Sequence, residues 1–254
     1  MPALRKIVVR FLPLLLVFGA WEALTAPRLI PEDFIPRFAH VLRALGDLLS
    51  SAEFYGHAAA SFSRVFIGLT ISIIAGVALG IGMAWYRWVK RFCEPLVVLS
   101  YPIPKPAIIP VFIIWLGIGD LSKIAVIALG CVVPIIISSY NATLSVDRYL
   151  VWSALSKGTS ERRLLRKVIF PASLPRIAVA IRVAIAVAFI LLVSSEFIAA
   201  NTGLGYLTFS YGSVGSNDYM FATIFLIVAV GFSADRGYAA VMQRVLAWHE
   251  FGEL

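Results

Sequence analysis

Long apolar stretches alternate with short polar segments along most of the chain. A helix that crosses a bilayer needs about 20 mainly apolar residues. On that criterion the pattern predicts about six membrane spans. They lie at 7–24, 60–85, 94–116, 123–144, 176–200 and 220–245. We therefore expect an all-α fold, a polytopic membrane protein whose function depends on crossing the bilayer.

The segment 26–57 has a different pattern from the spans. From His40 to Tyr55 its apolar residues follow helical spacing, with polar residues on the opposite side. This pattern favours an interfacial helix on the outer surface rather than a span. His40 and His57 lie here, and isolated histidines of this kind are usually solvated, so we expect no metal site.

The composition supports a membrane protein and excludes several other classes. Hydrophobic residues make up 60% of the chain and charged residues only 14%, whereas soluble domains carry about 25% charged residues. Disordered chains are polar and are excluded by the same figures. Two cysteines far apart in sequence, Cys93 and Cys131, exclude a disulfide scaffold. The net charge of +8 has no basic soluble domain to hold it, so we expect no nucleic-acid partner.

Basic residues concentrate in particular loops and predict the orientation. One group, Arg87, Lys90 and Arg91, follows the second span. A second group lies between the fourth and fifth spans: Arg148, Lys157, Arg162, Arg163, Arg166 and Lys167. The positive-inside rule places both loops and the N-terminus in the cytoplasm, and an even number of spans returns the C-terminus there. The first stretch also fits a signal peptide cleaved after Ala26, but we expect a retained anchor.

A ridge of small residues runs along the second predicted span. Gly68, Ser72, Gly76 and Gly80 follow one another at intervals of four, which keeps them on one face of a helix. Small side chains let another helix approach closely. We expect this helix-packing ridge to serve ordinary packing within the chain, with a subunit interface or a moving seam as the alternative.

The third predicted span is interrupted by the alternating prolines Pro102, Pro104 and Pro106. Prolines remove backbone donors, and broken helices at membrane depth often line transport pathways. Lys105 lies inside this break, where it contacts an anionic substrate, pairs with Glu196 or reaches the interface. Glu196, near the end of the fifth span, has either a structural or a gating role. These five residues are our candidates for the translocation pathway.

The cytoplasmic loop between the fourth and fifth spans carries well-placed caps and breakers. Asp147 is placed to cap a short helix from Arg148 to Lys157, and Gly158 to end it in the left-handed conformation. Thr159 or Ser160 caps a second short helix that stops before Pro171. Such a helix–glycine–helix element predicts a docking site for a cytoplasmic partner.

This loop resembles the signature of the permease subunits of binding-protein-dependent ABC importers. Gly158, Pro171 and Pro175 keep the spacing of that signature, and Ala154 matches it, while Trp152 stands where a glutamate is expected. The segments 102–110, 115–123 and 196–207 look like the nitrate, sulfonate and taurine branch of the family. By this resemblance the residues expected to dock the ATPase and couple its motion are Trp152, Ser153, Ala154, Lys157, Gly158, Thr159, Ser160, Arg162 and Pro171.

The resemblance implies a type I importer fold and a set of partners. Residues 1–58 would form an anchor helix and an extracytoplasmic interfacial segment, and residues 59–254 the permease core, with the coupling loop at 146–175. Two permease copies, expected to be identical, would dock two cytoplasmic ATPases and receive a sulfonate, taurine, nitrate or similar solute from an extracytoplasmic binding protein. The location would be the bacterial inner membrane. This chain would hold no cofactor, with ATP and magnesium on the ATPase.

A secondary transporter and a membrane protease are the alternatives to an importer permease. The sequence has no phosphate-binding loop, so an ATP-driven process needs another polypeptide to bind the nucleotide. A self-powered secondary transporter would depend on the few intramembrane acids, Glu196, Asp235 and Glu22. A membrane aspartyl protease would use Asp120 but lacks a second aspartate in an adjacent span. We therefore expect a transporter subunit, not an enzyme.

Overall fold

The computed structural model describes residues 2–26, 31 and 34–248, and every regular element in this part of the chain is helical. The helices are α1 (Pro2–Thr25), α2 (Phe38–Ser50), α3 (Ala52–Trp85), α4 (Arg87–Ser100), α5 (Ile109–Leu116), α6 (Asp120–Leu144), α7 (Arg148–Ser156), α8 (Glu161–Leu164), α9 (Phe170–Ile198), α10 (Leu204–Ser213) and α11 (Asn217–Val245). A 3₁₀ turn at Lys105–Ile108 precedes α5, and a π turn at Leu165–Ile169 joins α8 to α9.

Among the described residues, four helices are long and apolar enough to cross a membrane. They are α3, α6, the continuous stretch Glu161–Ile198 and α11. The predicted span at 94–116 is found as two helical pieces, Arg87–Ser100 and Lys105–Leu116, bent by 95° at the proline break. Counted as one span, this pair gives a fifth. The predicted stretch at 7–24 lies in α1, and among the residues with described side chains Leu15–Thr25 is a shorter apolar helix.

The predicted interfacial helix from His40 to Tyr55 is wrong in its extent. Ser51 has an extended backbone with φ −86° and ψ 128°, and it separates α2 from α3. The long helix α3 therefore begins at Ala52 rather than at residue 60. The expected boundary between residues 58 and 59 lies within α3, so the outer surface segment and the core share one continuous helix.

The helices α3, α6 and α9 form the core of the molecule. The small residues of α3 face α6 so closely that a Cβ atom added at Gly68 would lie 2.9 Å from the Ile127 side chain. At Gly76 the same atom would lie 2.6 Å from Ile135. The Ser72 hydroxyl donates to the carbonyl of Ala128 at 2.9 Å. The ridge thus packs against α6 of the same chain.

The helix stretch that leads into the core passes through two prolines. The sequence predicts that the second cytoplasmic helix stops before Pro171, and this prediction is wrong. The π turn shifts the bonding register, so that the Phe170 N–H donates to the carbonyl of Leu165. Pro171 then lies in the first turn of α9, directly after the π turn. The chain therefore continues from Glu161 to Ile198 without a break.

Helix α11 is fastened to α9 by an ion pair at membrane depth. The Arg182 guanidinium donates to both carboxylate oxygens of Asp235, at 2.6 and 2.7 Å. One turn further on, the Tyr238 hydroxyl donates to the carbonyl of Ala178 at 2.9 Å. A charged group in a span is costly unless it is paired, and this pairing explains how α11 accommodates Asp235.

Candidate functional site

The coupling loop has the helix–glycine–helix form that the sequence predicts. The Asp147 carboxylate accepts a hydrogen bond from the backbone N–H of Tyr149 at 2.8 Å and caps α7. Gly158 has φ +73°, in the left-handed region, where it ends α7 and reverses the chain toward α8. Ser160 stands at the N-cap position of α8 with an extended backbone, but its side chain makes no capping bond.

Helix α7 presents an aromatic face to solvent. None of its residues is buried. Tyr149 is 75% exposed and Trp152 58% exposed, and their rings stand nearly perpendicular with centroids 5.6 Å apart. The other residues predicted for ATPase docking surround this pair: Ser153, Lys157, Gly158, Ser160 and Arg162 are exposed, and Ala154, Thr159 and Pro171 are half-buried. A rigid aromatic pair on an exposed helix is typical of a protein interface.

Lys105 lies at the bend between α4 and α5, and it serves the broken helix itself. Its ammonium group donates to the carbonyls of Ser100 and Ile103, the latter at 3.0 Å. The helical donor to the Ser100 carbonyl would come from Pro104, which has no N–H, and the Ala107 N–H that could serve Ile103 donates to the carbonyl of Pro104 instead. Pro102, Pro104 and Pro106 are exposed along the same bend. Of the three alternatives for Lys105, the pairing with Glu196 is not found, because the ammonium group bonds to backbone carbonyls of the bend.

Glu196 lies instead in a buried polar cluster at the outer end of the core, which we call the outer cluster. Its members are His57, Ser61 and Arg64 of α3, Asp120 at the start of α6, Glu196 of α9, and Thr202, Gly203, Leu204 and Gly205 at the start of α10. His57, Ser61 and Arg64 continue the α3 face that carries the small-residue ridge, because their spacing is also three to four residues.

Arg64 joins three helix ends within this cluster. It is only 4% exposed, and its Nη1 donates to Glu196 Oε1 at 2.6 Å and to the Thr202 carbonyl at 2.7 Å. Its Nε donates to Asp120 Oδ1 at 2.8 Å. Its Nη2 also donates to the Thr202 hydroxyl at 2.8 Å. Asp120 remains 64% exposed, so Glu196 is the buried counter-charge and Asp120 the one that meets solvent.

The first three backbone amides around the start of α10 each donate to a different side chain. The Gly203 N–H donates to His57 Nδ1 at 3.0 Å, the Leu204 N–H to Ser61 Oγ at 2.8 Å, and the Gly205 N–H to Glu196 Oε2 at 2.8 Å. Gly203 has φ +124°, and a Cβ atom there would clash with the Glu196 carboxylate. The chain therefore needs glycine at this close approach, and α3 and α9 together fix where α10 begins.

The outer cluster differs from the sequence-based expectations in two ways. The prediction that His57 is solvated is wrong, because the residue is 8% exposed and bonded to α10. Ser61, Arg64 and Thr202 were not predicted as site residues. For Ser61 and Arg64, the sequence feature that could have identified them is the regular spacing from His57 to Gly68, which places polar groups on the same face as the ridge.

The electrostatics of the outer cluster favour a fixed structure rather than proton or ion transfer. Lys123 of α6 is buried beside it and donates to the carbonyl of Ile118. Two cations, Arg64 and Lys123, thus stand near two carboxylates, Asp120 and Glu196. Each oxygen of Glu196 has at least one donor, from Ser61, Arg64 or Gly205. Both oxygens of this buried carboxylate are bonded to donors, so Glu196 is held in place as part of a fixed network.

Comparison with known proteins gives the family. Residues 68–247 match the family described as "Binding-protein-dependent transport system inner membrane component". The chain is 30% identical over 253 residues to the taurine transport system permease protein TauC of Escherichia coli, covering 98% of this chain and 92% of that protein. It is 31% identical over 246 residues to the E. coli protein named as putative aliphatic sulfonates transport permease SsuC, covering 97% and 93%.

Solved structures of transporters share the fold. A chain of a bacterial alginate ABC transporter, crystallised in complex with an alginate-bound periplasmic protein, matches with a TM-score of 0.64 and 14% identity, over 94% of this chain and 97% of that one. A chain of the MetNI methionine ABC transporter in an inward-facing conformation matches with a TM-score of 0.58 and 22% identity, over 83% and 98%. The ATPase is a separate subunit in such systems. This chain therefore belongs to the binding-protein-dependent transport family and is the multi-pass inner-membrane permease component of an ABC importer.

Proposed function

We propose that this permease imports a small polar or anionic solute of the sulfonate class, with taurine as the first candidate. The proposal is supported by its likeness to TauC and SsuC, whose names refer to taurine and aliphatic sulfonates, over nearly the full chain. Nitrate and other small polar solutes are the remaining candidates, because the binding protein selects the substrate in importers of this kind.

The working assembly has two copies of this chain, two cytoplasmic ATPases that carry ATP and magnesium, and one extracytoplasmic binding protein. With α1 counted as a further span we infer six spans in each copy, with both termini in the cytoplasm, and residues 1–58 supply the anchor and the outer surface segment. In this orientation the outer cluster faces the binding protein and α7 faces the ATPase. The basic residues around α7 agree with that placement.

The observation that carries the proposed assembly is the exposed aromatic face of α7. Lipid covers exposed apolar residues inside the membrane, but α7 lies in a cytoplasmic loop, where an uncovered Tyr–Trp pair requires a partner. Trp152 stands where the family signature has a glutamate, so the docking contact in this protein is apolar rather than ionic. The surrounding arginines and lysines fit a groove with an acidic rim.

An affinity purification tests this assembly. The tagged chain is extracted from native membranes in mild detergent, and companions are identified by mass spectrometry. We expect an ATPase subunit to co-purify. Substituting an interface hot spot costs about 2 kcal/mol or more. For Trp152→Ala we therefore expect at least ~30-fold weaker ATPase binding, with Ser156→Ala on the same helix as the matched control. Equal recovery of the ATPase with all three chains would contradict the docking assignment.

Two of the three acids that a secondary transporter would use are paired, whereas Glu22 keeps a buried carboxylate oxygen, Oε2, with no hydrogen-bond partner among the described residues. Glu196 has its donors in the outer cluster, and Asp235 is paired with Arg182 at 2.6 Å. Recovery of a clean oligomer without an ATPase, repeated after crosslinking, would favour that alternative and would make these two acids the next residues to substitute.

Substitution of Lys105 tests whether the proline break contacts the substrate. If its ammonium group meets the anion as well as the carbonyls, Lys105→Met raises the KM for taurine uptake by roughly tenfold, which corresponds to one lost charged hydrogen bond. Lys105→Arg keeps the charge and should stay close to the parent KM. A lower melting temperature with an unchanged KM would reduce Lys105 to a cap of the broken helix.

A further inference from the structure

One of the three acceptors at the start of α10 differs from the others in kind. Ser61 and Glu196 accept with oxygen atoms, but His57 accepts with a ring nitrogen. A ring nitrogen accepts a hydrogen bond only when it carries no proton. The bond of 3.0 Å from the Gly203 N–H to Nδ1 therefore places the single ring proton of His57 on Nε2.

The imidazole is held from both sides of this contact. Its ring is stacked on Tyr206 of α10, with centroids 5.8 Å apart and planes 17° apart. Its Nε2 lies 3.7 Å from the carboxylate of Glu53, whose side chain is 81% exposed. Glu53 thus connects the buried ring to the outer solvent, and protons have a short route to His57 from the extracytoplasmic side.

We propose that His57 is a positioning residue that holds the start of α10 only as the neutral imidazole, so that acid on the extracytoplasmic side releases α10 and slows transport. Protonation would place an N–H at Nδ1 directly against the Gly203 N–H, and two donors cannot bond. The backbone amide cannot give up its hydrogen, so the ring must turn away or α10 must move. This inference rests on the proposed function for the side of the membrane that the start of α10 faces and for its transport measurement.

Charged groups of both signs lie around the His57 ring. On α3, the carboxylate of Glu53 lies 3.7 Å from the ring, and the guanidinium of Arg64 is paired with Glu196 of α9. On α10, Tyr206 is stacked on the ring, and burial, followed by the Glu53 carboxylate, raises the pKa of Tyr211. On α2 and α11, the nearest titratable pair, Asp47 and Tyr219, bond to each other at 3.1 Å.

The direction of the pH effect follows from the geometry. The contact needs neutral His57, so it is present at the alkaline end of the range in which histidine titrates, about pH 5 to 8, and is lost toward the acid end. A sulfonate substrate keeps its charge across this range. A change in transport with external pH then reports on the protein rather than on the ionisation of the sulfonate.

Hydrogen–deuterium exchange tests the contact without any assumption about substrate. The full-length chain in lipid nanodiscs is labelled at pH 7.5 and pH 5.5, and exchange of residues 199–207 is corrected for the intrinsic effect of pH. We expect the start of α10 to lose at least ~10-fold in protection at pH 5.5. In His57→Asn the amide oxygen takes the place of Nδ1 and does not titrate, so protection should be equal at both pH values.

A transport measurement gives the second readout. In proteoliposomes with the ATPases outside and the binding protein enclosed, lumenal pH is varied while the bath stays at pH 7.5, with taurine as the probe. We expect the parent to lose activity toward pH 5.5 and His57→Asn to show a flat profile. His57→Phe, which keeps the stacking but has no acceptor, should be impaired at every pH. An identical acid limb in parent and His57→Asn, or parent-like protection in His57→Phe, would overturn the proposal.

Discussion

Replacing Arg64 with methionine is expected to cause the largest loss of stability of any single change in the outer cluster. The substitution leaves Glu196 buried without its counter-charge and removes the bonds that join α3, α6 and α10. Removing one partner of a buried ion pair costs about 3–5 kcal/mol. That is a large part of the 5–15 kcal/mol that stabilises a typical fold, so we expect little folded protein and a melting temperature lower by roughly 10 °C.

Two further variants separate this effect from a general sensitivity of the region. Asp120→Asn removes the other counter-charge of Arg64, but Asp120 is 64% exposed, so we expect a loss below about 1 kcal/mol. The double variant Arg64→Met with Glu196→Gln removes the stranded charge and should be more stable than Arg64→Met alone. Thermal unfolding of the purified chains in detergent measures all three. Equal stability of Arg64→Met and Asp120→Asn would contradict the role given to the buried pair.

The close packing of the small-residue ridge of α3 could be predicted from the sequence, but the burial of the polar residues nearer the start of α3 could not. Glycines and serine at intervals of four have one physical use in a membrane helix, which is close packing, and Gly68 and Gly76 indeed contact α6. His57 and Ser61 continue the same face, but near a helix end polar residues are normally solvated. Only the position of α10, which returns to α3 from far along the chain, makes them buried acceptors.

Pairing between distant charges was the other feature that the sequence did not reveal. Asp235 marks a weak point in the last predicted span, and its partner Arg182 lies 53 residues earlier, on another helix. Hydropathy counts charges within one segment and takes no account of a neutralising partner on another helix. The coupling loop is the opposite case. Asp147 and Gly158 act through their own backbone neighbourhood, so their roles follow from local chemistry alone.

Replacing Gly158 with valine is expected to abolish coupled transport while the protein still inserts and folds. Gly158 has φ +73°, and no atom lies within 4 Å of a Cβ added there, so the cost of valine is entirely in the backbone. A β-branched residue is a genuine outlier in the left-handed region, and that strain reorients α7 relative to α8. Since α7 carries Trp152, the docking face would be displaced from the ATPase, and we expect uptake to fall by at least ~10-fold, in line with a shift of about 1.4 kcal/mol.

Gly158→Asn is the matched control, because asparagine tolerates the left-handed conformation and would keep the turn. We expect it to retain most of the uptake activity. ATP hydrolysis by the reconstituted complex and taurine uptake are measured together, with membrane insertion checked by detergent extraction. Loss of stimulated hydrolysis with normal insertion in Gly158→Val, and its retention in Gly158→Asn, would place the defect in the angle of α7. Normal uptake by Gly158→Val would remove the coupling role from this turn and leave Tyr149 and Trp152 as the next positions to test.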